Sequence, residues 1–291
     1  GLTAMLRARE SKMLDRDRMD RMLNASSYGD AAKLLTDCGY EDLSSMNANE
    51  VDAALNARRA EIYEEIGRMA PEPELVDVFR LKYDYHNAKV ALKAAAMGTD
   101  GTHLYNHAGC ISVETLEEAL AEDHFSALPQ ALAKALQEAR DTLGKTGNPQ
   151  MADFVLDRAY FAQLQNMAEK AGGAYLKGYV RLLIDAANLR AAVRTVRMDH
   201  GVDFLLQALV PGGTVSVDTM AQAAMSGDGL TALFNATVLQ NAAAMGVEAM
   251  KGGSMTKFEL ACGRNGDHGC PDDFDRPPGR HRAECNPGKA A

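Results

Sequence analysis

The chain has 291 residues, enough to bury a substantial core in one to three domains. Its formal net charge of −9 argues against a nucleic-acid binder, which carries a basic surface. Hydrophobic content is ordinary at 46%, but Trp is absent, aromatics make up 6%, and Ala, Leu and Met dominate, the mix of an all-α protein.

Residues 2–23 have helical apolar spacing, with a break expected near Leu14. A short helix at 30–35 ends at Gly39, and a longer one at 51–66 carries Val51, Ala54, Leu55, Ile62 and Ile66 on one stripe. Pro71 and Pro73 punctuate before a long helix at 74–97, whose buried face is expected to hold Leu75, Val78, Phe79, Leu81, Tyr85, Ala88 and Leu92. A polar loop at 98–109 leads to a helix capped by Ser112 or Glu114, then to a helix at 128–143 and a turn cluster at 144–149. Helices at 152–171 and 174–198 flank Gly172-Gly173. Helices at 202–209, 218–225, 229–238 and near 256–262 follow.

The chain repeats itself. Residues 111–120 read ISVETLEEAL and residues 215–224 read VSVDTMAQAA, each with a Gly two residues upstream, Gly109 and Gly213. Residues 14–23, LDRDRMDRML, are a looser third copy. A second signature, D-x-x-N-x-K/R, recurs in step as Asp84, Asn87, Lys89 and as Asp185, Asn188, Arg190. Internal repetition implies similar structural units around a common axis. A repeat of this length is too long for a solenoid unit, so three small lobes fit it. They are drawn as 1–98, 99–200 and a partial third at 201–262. Asp and Asn at i and i+3 share one helix face and are mediocre mid-helix residues, so their recurrence points to buried backbone groups of a neighbouring lobe. The basic residue after them, with Lys93 and Arg194 beyond it, lies where positive charge complements the helix dipole.

Other motifs fail on context. Leu143-Gly144-Lys145-Thr146 ends like a phosphate loop, but Ala139 stands where a Gly is needed and a helix precedes it instead of a strand. Pro211-Gly212-Gly213-Thr214 reads as a loop before a helix N-terminus. His103, His107 and Cys110 have metal-compatible spacing, yet the matching loop of the other copy holds neither His nor Cys. No nucleophile context is present, so neither catalysis nor a cofactor is expected. Cys38, Cys110, Cys262, Cys270 and Cys285 lack framework spacing and read as reduced thiols of a cytoplasmic protein. No stretch nears the about 18 to 20 continuous apolar residues of a membrane span, and no signal peptide opens the chain.

From Gly263 the composition shifts to Pro, Gly and charge. His268, Cys270, His281 and Cys285 could be taken for a zinc knuckle, but disorder is the better expectation for residues 263–291. The change falls where the third unit should supply its own long helices. It reads as a departure from the original coding frame near Cys262, which leaves the third lobe incomplete.

The stretches RARESKMLDRDRMDRML (7–23), SYGDAAKLLTDCGY (27–40), LKYDYHNAKVALKA (81–94), LDRAYFAQL (156–164) and YVRLLIDAANLRAAVRT (179–195) carry a resemblance. Over residues 2–262 the chain resembles the C subunit of V/A-type rotary ATPases, similar to the d subunit of the eukaryotic vacuolar enzyme. FELAC (258–262) is similar to the start of that family's last helical segment. The resemblance implies an all-helical funnel of three similar lobes around a pseudo-threefold axis. It implies a non-catalytic central-stalk component, a socket joining the D and F subunits of the central shaft to the membrane rotor ring. Such a part transmits torque for ATP-coupled proton or sodium transport at the cytoplasmic face. The competing expectation is a free-standing helical scaffold or adaptor.

Overall fold

The computed structural model of the chain describes residues 1–267. Every long regular element among them is an α-helix, and none is a strand. The helices gather into two compact units, Gly1–Tyr160 and a second beginning at Phe161.

In the first unit, α1 (Leu2–Glu10) and α2 (Arg16–Leu23) are separated by the break expected near Leu14. Asp15 caps α2 by accepting from Arg18 N–H at 2.8 Å. α3 (Tyr28–Thr36) is capped by Ser27, and the chain leaves it through Gly39 at φ 88°. α4 (Ala48–Met69) starts earlier than its apolar stripe, because Asn47 and Glu50 close a capping box ahead of Val51. α5 (Glu74–Met97) ends at Gly98, whose φ of 64° is left-handed. α6 (Val113–Ala121) is capped by Ser112 and α7 (Gln130–Thr146) follows Pro129. α8 (Pro149–Ala171) opens on a proline, which costs nothing where an N–H would lack a partner anyway.

α5 is the first unit's organising helix, packed on α4, α6 and α7. Its buried side chains include Val78, Leu81, Tyr85, Ala88 and Leu92, together with Asp84 and Asn87. Leu75 and Phe79 are exposed, contrary to expectation. At 3.6 residues per turn they lie roughly 120 to 160° around the axis from Leu81, off the face that the other positions share. α1, α2 and α4 bury no residue fully.

The second unit is built on α9 (Ala174–Arg197), against which α10 (Val202–Ala208), α11 (Val217–Met225), α13 (Gln240–Met250) and α14 (Met255–Asp267) pack. Leu189, Val193, Leu205, Met220, Leu230, Phe234 and Phe258 form its core, each fully removed from solvent. Burial at this level is worth about 1.5 to 3 kcal/mol for each large apolar side chain.

Two expectations fail here. The helix expected at 229–238 stops early, as α12 (Gly229–Leu233), and α13 is an additional helix. Gly246 in its middle weakens any helix signal in the sequence. In the fold a Cβ there would press on Val193 of α9 and Phe258 of α14, so the Gly permits close approach of three helices. The last helix also runs on to Asp267, past the composition change at Gly263. The zinc-knuckle residues His268, Cys270, His281 and Cys285, and the remainder of the expected tail, lie outside the described residues.

Candidate functional site

The two copies of D-x-x-N-x-K/R lie on equivalent helices, α5 and α9, and each copy makes two separate attachments. The first is to the loop that follows its own helix. In the first unit, Asp84 Oδ1 accepts from Cys110 N–H at 2.8 Å and Ile111 N–H at 3.0 Å. Asn87 exchanges two hydrogen bonds with Asn106: its Nδ2 donates to the carbonyl at 2.8 Å and its Oδ1 accepts from the N–H at 2.9 Å. In the second unit, Asp185 accepts from Thr214 N–H at 3.1 Å, from Val215 N–H at 3.2 Å and from the Thr214 hydroxyl. Asn188 exchanges the same two bonds with Val210, both at 2.8 Å. Buried side chains thus pair backbone groups of an irregular segment that no ladder serves.

The repeated glycines belong to this arrangement. A Cβ at Gly109 would overlap the Asp84 carboxylate, and one at Gly213 would overlap that of Asp185. Only Gly lets the carboxylate reach the next two N–H groups. Those N–H groups open onto Ser112 and Ser216, which cap α6 and α11 by accepting from Thr115 N–H and Thr219 N–H. The two repeated motifs are therefore halves of one device: a helix-borne carboxylate seats the start of the next capped helix.

The second attachment is ionic. Lys89 meets Asp157 at 2.5 Å and Lys93 meets Asp153 at 2.7 Å, both on α8. Arg190 meets Glu259 at 3.3 Å and Arg194 meets it at 2.7 Å, on α14. These basic residues, read from the sequence as companions of the helix dipole, also tie α5 to α8 and α9 to α14.

The copies differ in what surrounds them. Arg80 donates to the carbonyls of Ala108 at 3.1 Å and Gly109 at 2.5 Å, bracing the first loop. Arg181 occupies the matching position one turn before Asp185, but it is exposed. In the second loop the Gln165 side chain lies against Gly212 instead. Burial pushes the Asp84 carboxyl up to about 6, against the opposing pull of two N–H donors and Arg80. It raises Asp185 as well. The signature residues were legible from their repetition. Asn106, Thr214 and the acids on α8 and α14 were not, although the repeated Arg80-x-x-x-Asp84 and Arg181-x-x-x-Asp185 was available as a further signal.

The remaining candidates are not drawn together. His103 and Cys110 lie at opposite ends of a loop, where Cys110 Sγ faces Asp77 Oδ1 at 3.3 Å. Among the described residues no group of three or more His, Cys, Asp or Glu converges as for a metal. Gly144-Lys145-Thr146 closes α7 at its C-terminal end, where carbonyls rather than N–H groups are exposed. Between α12, α13 and α14 lies an open groove of 650 Å³, rimmed by Lys251 and Asp228, which pair at 2.8 Å. No described helix is long and apolar enough to cross a membrane.

The family model described as ATP synthase (C/AC39) subunit matches residues 2–266, across both units and both signatures. The chain belongs to that family. Within the ATP synthase (C/AC39) subunit family it is 24% identical to the C subunit of the V-type sodium ATPase of Enterococcus hirae, over 75% of this chain and 67% of that protein. It is 25% identical to the C subunit of the A-type ATP synthase of Methanocaldococcus jannaschii, over 66% of this chain and 53% of the relative. Against the C subunit of the V-type ATP synthase of Thermus thermophilus it is 24% identical, over 66% and 62%. The chain thus spans about half to two thirds of the length of these C/AC39 relatives.

Proposed function

We propose that this chain is a non-catalytic central-stalk component of a V/A-type rotary ATPase. In this reading it is a socket that joins the D and F subunits of the shaft to the membrane rotor ring and passes torque between them. It sits at the membrane periphery through the ring. Its lobes are three similar helical units forming a funnel, the third of them incomplete. The observation that carries the reading is the family match over residues 2–266, which includes both signature helices. The doubly fastened repeats support it physically. A torque-bearing part needs loops that cannot shift relative to their helices, and buried Asp and Asn bonded to backbone hold them so. Whether the coupled ion is proton or sodium belongs to other components of the machine.

The test is light scattering on the full chain mixed with the D–F shaft pair, beside a version whose third lobe is restored. The restored chain is expected to co-elute with the shaft. If neither form binds, the socket reading fails and the adaptor reading takes its place.

A further inference from the structure

The third copy of the repeat keeps its local structure but not its cover. Residues 14–23 align with 111–120 and 215–224. Asp15 accepts from Arg18 N–H as Ser112 accepts from Thr115 N–H and Ser216 from Thr219 N–H, so α2 starts in the same register as α6 and α11. The sixth position of each copy is apolar: Met19, Leu116 and Met220. Leu116 and Met220 are fully buried, in helices that pack on α5 and α9 respectively. Met19 is 46% exposed, and Leu23, one turn on along the same face, is 84% exposed. α2 packs on α3 but buries no residue fully. Its two counterparts are each covered by the 24-residue signature helix that precedes them.

A third signature helix is not in this sequence. D-x-x-N occurs only at Asp84 and Asp185 over all 291 residues, and no described helix after α9 exceeds 13 residues. The C/AC39 relatives hold length beyond the match, since the chain spans 67% of the Enterococcus hirae protein and 53% of the Methanocaldococcus jannaschii one. Lys12 stands where the other copies carry Gly109 and Gly213, so an incoming carboxylate is denied the backbone contact that Asp84 makes. Apolar packing is what remains. We propose that the Met19–Leu23 face of α2 is a docking surface for a helix of a second polypeptide that carries the apolar stripe of α5 and α9. The proposal rests on the three-unit reading within the function proposed above, and not on the shaft.

A labelled peptide of residues 174–197, the α9 sequence, stands in for the absent helix. Its control replaces Leu182, Leu189 and Val193, which share the second unit's core with Met220, by Gln. The full chain is expected to bind the α9 peptide, and the control about tenfold or more weakly. Met19→Glu combined with Leu23→Glu should weaken binding of the α9 peptide to a similar extent. Both positions are exposed, so the variant should fold, and its thermal midpoint checks that. Equal binding by wild type and variant, or equal binding of the two peptides, would overturn the surface. Light scattering tests a second copy as the occupant. A wild-type dimer that the substitutions dissolve and the peptide leaves intact would also overturn the proposal. The D–F shaft pair is titrated in parallel. If the peptide discriminates and the shaft binds no form of the chain, the surface stands and the socket reading fails. If the shaft binds and the peptide does not discriminate, the socket reading stands and the surface fails.

Discussion

The two Asp–Asn clamps use the same bonds in different surroundings. Asn188 and its partner Val210 are both buried, so that exchange is dry. Asn87 is as deeply buried, but its partner Asn106 is half-exposed and also bonds Asn56 and Ala108. Water can take over part of the first clamp and none of the second. A repeated motif therefore fixes the geometry of an attachment, while its neighbours fix what it costs to lose. The largest effect expected from this difference is in the asparagines. Asn188→Ala strands a buried N–H and a buried carbonyl and should cost roughly 2 to 4 kcal/mol, whereas Asn87→Ala should cost about half as much. Urea unfolding of the two variants measures the gap. Equal losses would mean that burial of the partner does not govern the clamp.

The carboxylates sharpen the same comparison. Both backbone bonds to Asp84 fall on Oδ1, so Asp84→Asn can keep them. Asp185 divides its acceptor work between both oxygens, and Asn there would lose one of them. Asp84→Asn is thus a clean probe of charge. With its folded carboxyl raised to about 6 from 3.8, the native state holds a proton that the unfolded chain has already released. The stability contributed by this group is full below about pH 4 and is lost as pH rises through about 6. By linkage the loss is up to about 3 kcal/mol. Urea midpoints between pH 4 and 7 should fall more steeply for the wild type than for Asp84→Asn. Parallel profiles would show that the N–H donors outweigh burial and keep Asp84 ionised throughout.

How far the sequence reveals this arrangement depends on which residues repeat. The bounds of α5 are legible because a proline pair precedes it and a glycine ends it. The Asp and Asn positions stood out because they recur at the same spacing in two helices. The glycines at 109 and 213 recur as well, but their reason, a carboxylate pressed against the backbone, needs the third dimension. α13 is hidden in the sequence by the same glycine that lets it pack. Leu75 and Phe79 read as core positions because hydrophobicity says that a residue is apolar, not which side of a helix the core occupies. The acids on α8 and α14 were invisible as partners because sequence distance is silent on which distant helix closes a unit.

The ionic attachments give the smallest expected effect, and they separate the units again. Lys93 is the cation that bonds Asp153 Oδ2, while the other oxygen of that carboxylate is buried without a hydrogen-bond partner among the described residues. Lys93→Met leaves a half-buried acid uncompensated and should cost about 0.5 to 1 kcal/mol. Arg194→Met should cost only about 0 to 0.3 kcal/mol, because the Arg194 side chain is 59% exposed and Glu259 keeps Arg190. A double-mutant cycle in each unit, Lys93 with Asp153 and Arg194 with Glu259, measures both couplings. A coupling at Arg194 as strong as that at Lys93 would mean that solvent exposure does not set the strength of these attachments.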